Sequence, residues 1–116
     1  MKSIAVIYIN YNCSDLINFS IGLLIKNLFF SGIIEIIVID HSSNFSNNHN
    51  NESIKVYRRH NLGFSAGINY AASKTKADYL LICNPDIEIR EKFILDNYIS
   101  KYDFFGFYVY PHDYNF

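Results

Sequence analysis

Ser3-Ile4-Ala5-Val6-Ile7-Tyr8-Ile9 is an unbroken apolar run rich in β-branched residues, closed by the polar Asn10-Tyr11-Asn12-Cys13. A half-buried strand alternates polar and apolar residues, whereas a continuous run is the pattern of a strand covered on both faces of a parallel sheet. Residues 33–39 repeat the pattern and close on Asp40, residues 54–57 form a shorter third run, and residues 79–83 a fourth. Helical spacing lies between them. Ser14 is placed as an N-cap with Asp15 in the first turn, and Ile17, Ile21, Leu24 and Leu28 then recur on one face, so this helix is expected to end near Ser31-Gly32. Residues 64–74 predict a second helix, residues 92–100 a short third, and residues 104–110 a fifth apolar strand. The polar stretch 44–51 offers little to bury and is expected to be a mobile surface loop.

Strands alternating with helices predict βαβ crossovers, hence a three-layer α/β/α Rossmann-like fold with a mostly parallel sheet, one domain over residues 1–116. Ligands of such sheets bind beyond the carboxyl ends of the strands. Those ends are Asn10, Tyr11 and Asn12, then Asp40 to Ser43 (40–43), residues 58–63, and residues 84–86.

Composition narrows the function classes. The chain has 116 residues, 50% hydrophobic and 18% charged, with a net charge of -1. That balance fits a packed globular domain and supplies no field to gather nucleic acid, so an anionic ligand must be held by local groups. Cys13 and Cys83 lack the spacing of a zinc site or a redox pair and read as reduced core thiols of a cytoplasmic protein. The apolar stretch 16–30 is interrupted by Asn18, Ser20, Lys26 and Asn27 and is too short to cross a bilayer. His41, His49, His60 and His112 have no metal-ligand spacing, and neither a Walker loop nor a nucleophile elbow is present.

Each strand end offers a chemistry and a plain alternative. Asp40, followed by His41-Ser42-Ser43, can accept hydrogen bonds from a nucleobase imide or ribose hydroxyl, or can cap its own turn. The segment Asn61-Leu62-Gly63-Phe64-Ser65-Ala66-Gly67-Ile68-Asn69 leads a tight turn into a helix whose N–H groups favour a diphosphate, or its glycines serve packing alone. Arg58 and Arg59 can neutralise phosphate or stand as solvated surface. Asn84-Pro85-Asp86 can present two oxygens to Mg²⁺ or Mn²⁺, or form a proline turn with a capping aspartate.

Taken together and in order, Ile7-Tyr8-Ile9-Asn10-Tyr11-Asn12, Ile37-Val38-Ile39-Asp40-His41-Ser42-Ser43, the Asn61 to Asn69 segment and Tyr79-Leu80-Leu81-Ile82-Cys83-Asn84-Pro85-Asp86 resemble the family 2 glycosyltransferases of the GT-A fold, especially the rhamnosyltransferase-like branch. The resemblance implies a hexosyltransferase that binds a nucleotide-diphosphate sugar, dTDP-rhamnose among the candidates, for transfer to a glycan or lipid-linked acceptor in polysaccharide biosynthesis. It implies that Tyr11, Asn12, Asp40, Ser42, Asn61, Gly63, Gly67, Asn69 and Asp86 line the nucleotide-sugar site, and that Asp86, with Asn84, holds Mg²⁺ or Mn²⁺ beneath the diphosphate. Two departures stand out: His41 replaces the family's usual asparagine, and Asn84 the first aspartate of a metal-binding pair. Family members continue past the fifth strand into an acceptor-side half with a general base, so residues 1–116 read as the donor-binding half, truncated after that strand, and no catalytic residue is assigned. Phe19, Leu23 and Phe30 form a second apolar stripe on the first helix; with the aromatic run 104–110 they lead to an expectation of self-association or a partner chain completing the domain. No nucleic-acid partner is expected; peripheral contact at the inner face of the membrane is. A truncated, non-catalytic binding module is the alternative to an enzyme. A nucleotidyltransferase would need a basic glycine-rich loop after the first strand, and Asn10-Tyr11-Asn12-Cys13 has neither glycine nor cation.

Overall fold

The computed structural model describes residues 1–102 and Gly106. Four parallel strands form the central sheet: β1 (Ser3–Asn10), β3 (Ile33–Asp40), β4 (Ile54–Arg58) and β5 (Tyr79–Cys83), in the order β4-β3-β1-β5. β1 is central, and from Ile4 to Asn10 every residue is buried. That is why its sequence shows no alternation: both faces are covered. Ile4, Val6 and Tyr8 pack with Ile17, Ile21 and Leu24 of α1 (Ser14–Asn27), while Ala5, Ile7 and Ile9 join Ile37, Ile39 and Ala71 of α2 (Phe64–Ser73) on the other face. The mixed α/β sandwich expected from the alternation of patterns is the observed architecture.

The parallel pairing sets the functional edge. Asn10 is in register with Asp40, Asp40 with Arg58, and Tyr8 with Cys83, so all four strands leave the sheet at the same carboxyl end. The chain winds from β1 through β3 to β4 and then crosses back to β5, which puts the switch in strand order between β1 and β5.

Several local expectations are corrected. Helix α1 ends at Asn27, not near Gly32, because Leu28–Phe29 turns extended as β2 and pairs in parallel with β6 (Phe93–Ile94). The Asn27 side chain donates to the Ile89 carbonyl oxygen at 2.6 Å and helps fix this exit. The expected helix over 92–100 is therefore a short strand followed by one turn, α3 (Asp96–Ile99). Cys13 takes the N-cap position of α1, and Ser14 is already helical. Phe30, expected on an exposed stripe, packs against the core, whereas Phe19 stays exposed and Leu23 is half-buried.

The stretch 44–51 is held rather than loose. Phe45 is buried in the core, and the buried Asn18 of α1 donates to the Ser46 carbonyl (2.9 Å) and accepts from the Asn48 N–H (3.1 Å). His49 donates from Nε2 to the Asn18 carbonyl at 2.8 Å, with its ring against Gly22. Composition counted polar residues but not the single phenylalanine and the helix asparagine that anchor them. Cys13 and Cys83 are unpaired; burial pushes the Cys83 thiol up to about 12, against the opposing hydrogen bond from Tyr8, so it is an inert core group. No helix among the described residues is long and apolar enough to cross a membrane. The expected strand over 104–110 lies outside the described residues.

Candidate functional site

At the tips of β1 and β3 the side chains form a closed polar knot. Asp40 is 0% exposed. Its carboxylate accepts from the Asn10 amide at 2.9 Å, the Ser42 N–H at 3.1 Å and the Phe45 N–H at 2.9 Å, with the Ser42 hydroxyl at 3.2 Å. Burial alone would raise its pKa; the hydrogen bonds from Phe45, Asn10 and Ser42 outweigh that and hold the carboxyl below the ordinary carboxylate range. Ser42 extends the knot, its hydroxyl accepting from the Asn12 N–H (3.1 Å) and lying 2.6 Å from the Asn44 Oδ1. The self-capping turn is thus the geometry Asp40 adopts, and its carboxylate faces the interior rather than the ligand edge.

Two residues around this knot hold left-handed backbone, Asn12 at φ 55° and Ser43 at φ 56°. Asparagine tolerates this region, but serine does so at a cost of about 1 kcal/mol. Replacing Ser43 with glycine is expected to stabilise the domain by about 0.5–1 kcal/mol, measured by urea unfolding; a lower midpoint would show that the hydroxyl, not the backbone, dominates at this position.

Beside the knot, between the ends of β3 and β4 and the first turns of α2, opens a cleft of about 400 Å³ lined by His41, Arg59, His60, Asn61, Gly67 and Tyr70, with Ser43, Arg58, Leu62 and Ala66 around them. The arginine pair divides its work. Arg58 leans over the knot from outside, its side chain largely exposed, with its Nε 3.7 Å from Asp40 and its Nη2 donating to the Phe45 carbonyl at 3.4 Å. The Arg59 guanidinium instead lies 4.1 Å over the Tyr70 ring, which keeps a cation at the cleft wall, and among the described residues no carboxylate pairs with it. Gly63, at φ 103°, is the N-cap of α2, and its N–H donates to Asn61 Oδ1 at 3.0 Å. Among the described residues no side chain caps this helix, whose first-turn residues Ala66 and Gly67 line the cleft and bring its positive end to it. Gly67 lets α2 settle on the sheet: a Cβ there would stand 2.8 Å from Ile9 Cδ1 and 3.1 Å from His41 Nε2.

Beyond β5, the Ile87 N–H donates to the Asn84 carbonyl at 3.2 Å, closing a turn with Pro85 and Asp86 at its corner. Asn84 and Asp86 are exposed, and neither extends the strand. Among the described residues no group of three or more His, Cys, Asp or Glu side chains could hold a metal. Nearby Glu88 is engaged by Arg90 at 2.6 Å.

The site-by-site comparison is therefore mixed. Asn61 and Gly67 line the cleft; Gly63 caps the helix beside it; Tyr11 is exposed at the tip of β1; Asn12 and Ser42 belong to the knot; Asn69 is exposed on α2 and is not a lining residue; Asp86 and Asn84 stand past β5 on the far side of β1. His41 and Tyr70 are not among the expected site residues, whereas Arg59 is one of the two cations expected either to neutralise phosphate or to stand as solvated surface.

Residues 5–98 match the family model described as Glycosyl transferase family 2. The chain belongs to glycosyl transferase family 2. A comparison with curated proteins found no match. In this family 2 domain the matched segment covers β1 from Ala5 onward, β3, β4 and β5, the knot, the cleft and the turn after β5.

Proposed function

We propose that this family 2 domain binds a nucleoside-diphosphate sugar along the carboxyl edge of its sheet, for transfer of the sugar, rhamnose being the candidate from the resemblance, to a glycan or lipid-linked acceptor. The observation that carries the reading is the cleft: it combines an arginine and a helix N-terminus that no side chain among the described residues pairs or caps with an aromatic ring. The nucleoside end occupies this cleft at the β3 and β4 tips, and the diphosphate runs past Tyr11 and Asn12 towards Asp86. From β4 to β5 is three strand spacings, about 14 Å, a span an extended nucleoside diphosphate covers.

The donor set at Asp86 and Asn84 bears on the metal. One carboxylate and one amide are too few for a resident ion, but they fit Mg²⁺ or Mn²⁺ arriving with the diphosphate, since such ions commonly take one or two carboxylates plus substrate oxygens. A divalent cation there stabilises the charge that develops on the leaving diphosphate. Arg59 and the positive end of α2 act on the same ligand from the other end, orienting the nucleotide so that its sugar projects past β1 and β5. No general base is assigned among the described residues.

Titration calorimetry with dTDP-rhamnose and UDP-sugars, with and without Mn²⁺, tests this. Replacing Asp86 with alanine is expected to weaken Mn²⁺-supported binding about tenfold or more while leaving the unfolding midpoint unchanged, because the side chain is exposed. Equal binding by the variant would remove Asp86 from the site; absence of binding by the unaltered protein to every nucleotide tried would remove the function itself.

A further inference from the structure

We infer that the β4–α2 side of the domain, led by the loop at residues 58–64, docks onto an anionic bilayer surface and so turns the mouth of the cleft towards a lipid-linked acceptor. The choice of acceptor rests on the transferase reading above; the docking does not.

The charge of this unit differs from that of the chain. From Ser53 to Ala77 the sequence holds Lys55, Arg58, Arg59, Lys74 and Lys76 and no Asp or Glu, although the whole chain has a net charge of -1. Folding leaves most of these cations without an acid. Lys55 and Arg58 each stand near one carboxylate, Glu35 at 4.0 Å and Asp40 at 3.7 Å. Among the described residues no carboxylate pairs with Arg59, Lys74 or Lys76. The Tyr70 ring gathers two of the three: the Arg59 guanidinium lies 4.1 Å and the Lys74 ammonium 5.2 Å from its centroid, with Lys74 also 5.9 Å from the ring of Tyr57. Like charges held around one ring repel until an anion joins them. Lys74 is not a cleft-lining residue, which leaves its charge to a second anionic partner.

Charge alone would suit any polyanion; the loop tip selects a bilayer. Leu62 is 77% exposed and Phe64 51%, on either side of Gly63 and directly after Arg58-Arg59-His60-Asn61. Single exposed apolar residues are ordinary. A leucine and a phenylalanine at the tip of a basic loop are the combination that suits a membrane interface, where apolar side chains enter the acyl boundary while cations stay among anionic headgroups. A soluble polyanion gives Leu62 no apolar medium to enter. Leu62 also lines the cleft, so a bilayer that takes up this side chain lies against the cleft mouth. The amino edge has exposed apolar residues too, Phe29 and Ile94, with Lys92 5.2 Å from the Phe29 ring, but Glu91 and Asp96 flank them in the sequence.

The chain contains no tryptophan, so a single introduced one reports its own surroundings. In Leu62→Trp the emission is expected to move to shorter wavelength on adding phosphatidylcholine vesicles with roughly one-third phosphatidylglycerol, and to stay in place with phosphatidylcholine alone. Phe29→Trp, at the opposite edge, is expected to stay in place with both. By sedimentation the unaltered chain is expected to bind the anionic vesicles, and the double variant Lys74→Gln, Lys76→Gln to bind them about tenfold more weakly or worse. A shift in Phe29→Trp instead, equal binding to neutral vesicles, or unchanged binding by the lysine variant would overturn the proposal. Binding of anionic vesicles with no shift in Leu62→Trp would mark a surface for soluble polyanions and overturn it too. Vesicle docking by a chain that binds no nucleoside diphosphate would uphold the surface and strike the transferase reading; nucleotide binding without docking would strike the surface and leave that reading standing.

Discussion

Replacing Asp40 with alanine is expected to lower the free energy of unfolding by about 3 kcal/mol, a large share of the 5–15 kcal/mol typical of a domain. The loss arises from the donors left behind. The Asn10 amide and the Ser42 and Phe45 N–H groups all point at one carboxylate that water does not reach, and each buried donor left unpaired costs about 1–3 kcal/mol, offset where the knot can relax. Arg58 contributes little to the balance, since it is 3.7 Å away and mostly solvated. The shift in urea midpoint measures the effect, and a change below 1 kcal/mol would mean that the knot is dispensable.

The same carboxylate gives the domain an acid dependence whose sign follows from its pKa. The folded-state value lies below the unfolded one, so the stabilisation is fully present above the ordinary carboxylate value near pH 4 and is lost as the pH falls through the folded value. Asp78, lowered by its hydrogen bonds from the Ser3 N–H and hydroxyl at the opposite edge, acts in the same direction. Unfolding curves below pH 4 should therefore be less pH-dependent in Asp40→Asn than in the unaltered protein, with the residual slope belonging to Asp78 and other carboxylates.

Gly32→Ala is expected to cost about 3 kcal/mol, for a different reason. An added Cβ would stand 2.0 Å from the main-chain oxygen of Lys2 and 2.6 Å from Phe30 Cε2. A side chain can swing away, but the Lys2 oxygen is fixed: it accepts from the Ile33 N–H at 3.0 Å, immediately before Ser3 and Ile33 begin the β1–β3 ladder. The methyl group can be accommodated only by parting the two central strands at their start, and overpacking of this kind costs about 1–3 kcal/mol or more. The clash is at the amino edge, opposite the cleft, so the folded fraction of the variant should bind nucleotide like the unaltered protein. A midpoint within experimental error of the original would show that the strands part easily here; a loss of affinity without a loss of stability would show that the two edges are coupled.

The central sheet was legible because burial on both faces leaves a local mark. Residues of β1 and the second half of β3 have apolar neighbours above and below, so their sequences are continuous apolar runs, and parallel order follows from the helices between the strands; β5 shows the same run although Leu80 and Ile82 on one of its faces are exposed. The carboxyl edge was legible for the same reason: in a parallel sheet every strand delivers its following residues to one side. The small β2–β6 sheet was not, since Leu28-Phe29 continues the helical spacing of α1 and its strand partner lies 65 residues further along the chain. The order of the stretch 44–51 was hidden likewise in Phe45 and Asn18, residues whose importance depends on what they meet.

The amino-acid sequence alone determined the α/β class, the positions of the strand tips and the glycosyltransferase motifs, because these depend on local pattern and on residues close together in the chain. Only the tertiary structure decided which way the side chains at those tips face. Asp40 turns inward because the Asn10 amide of β1 and two N–H groups of its own following loop converge on it, and His41 is held at the cleft wall with one ring nitrogen on the Arg59 carbonyl. A carboxylate and an imidazole adjacent in sequence thus face differently: the turn that Asp40 caps was legible locally, but the Asn10 amide and the Arg59 carbonyl that complete the arrangement are brought to them only by the fold.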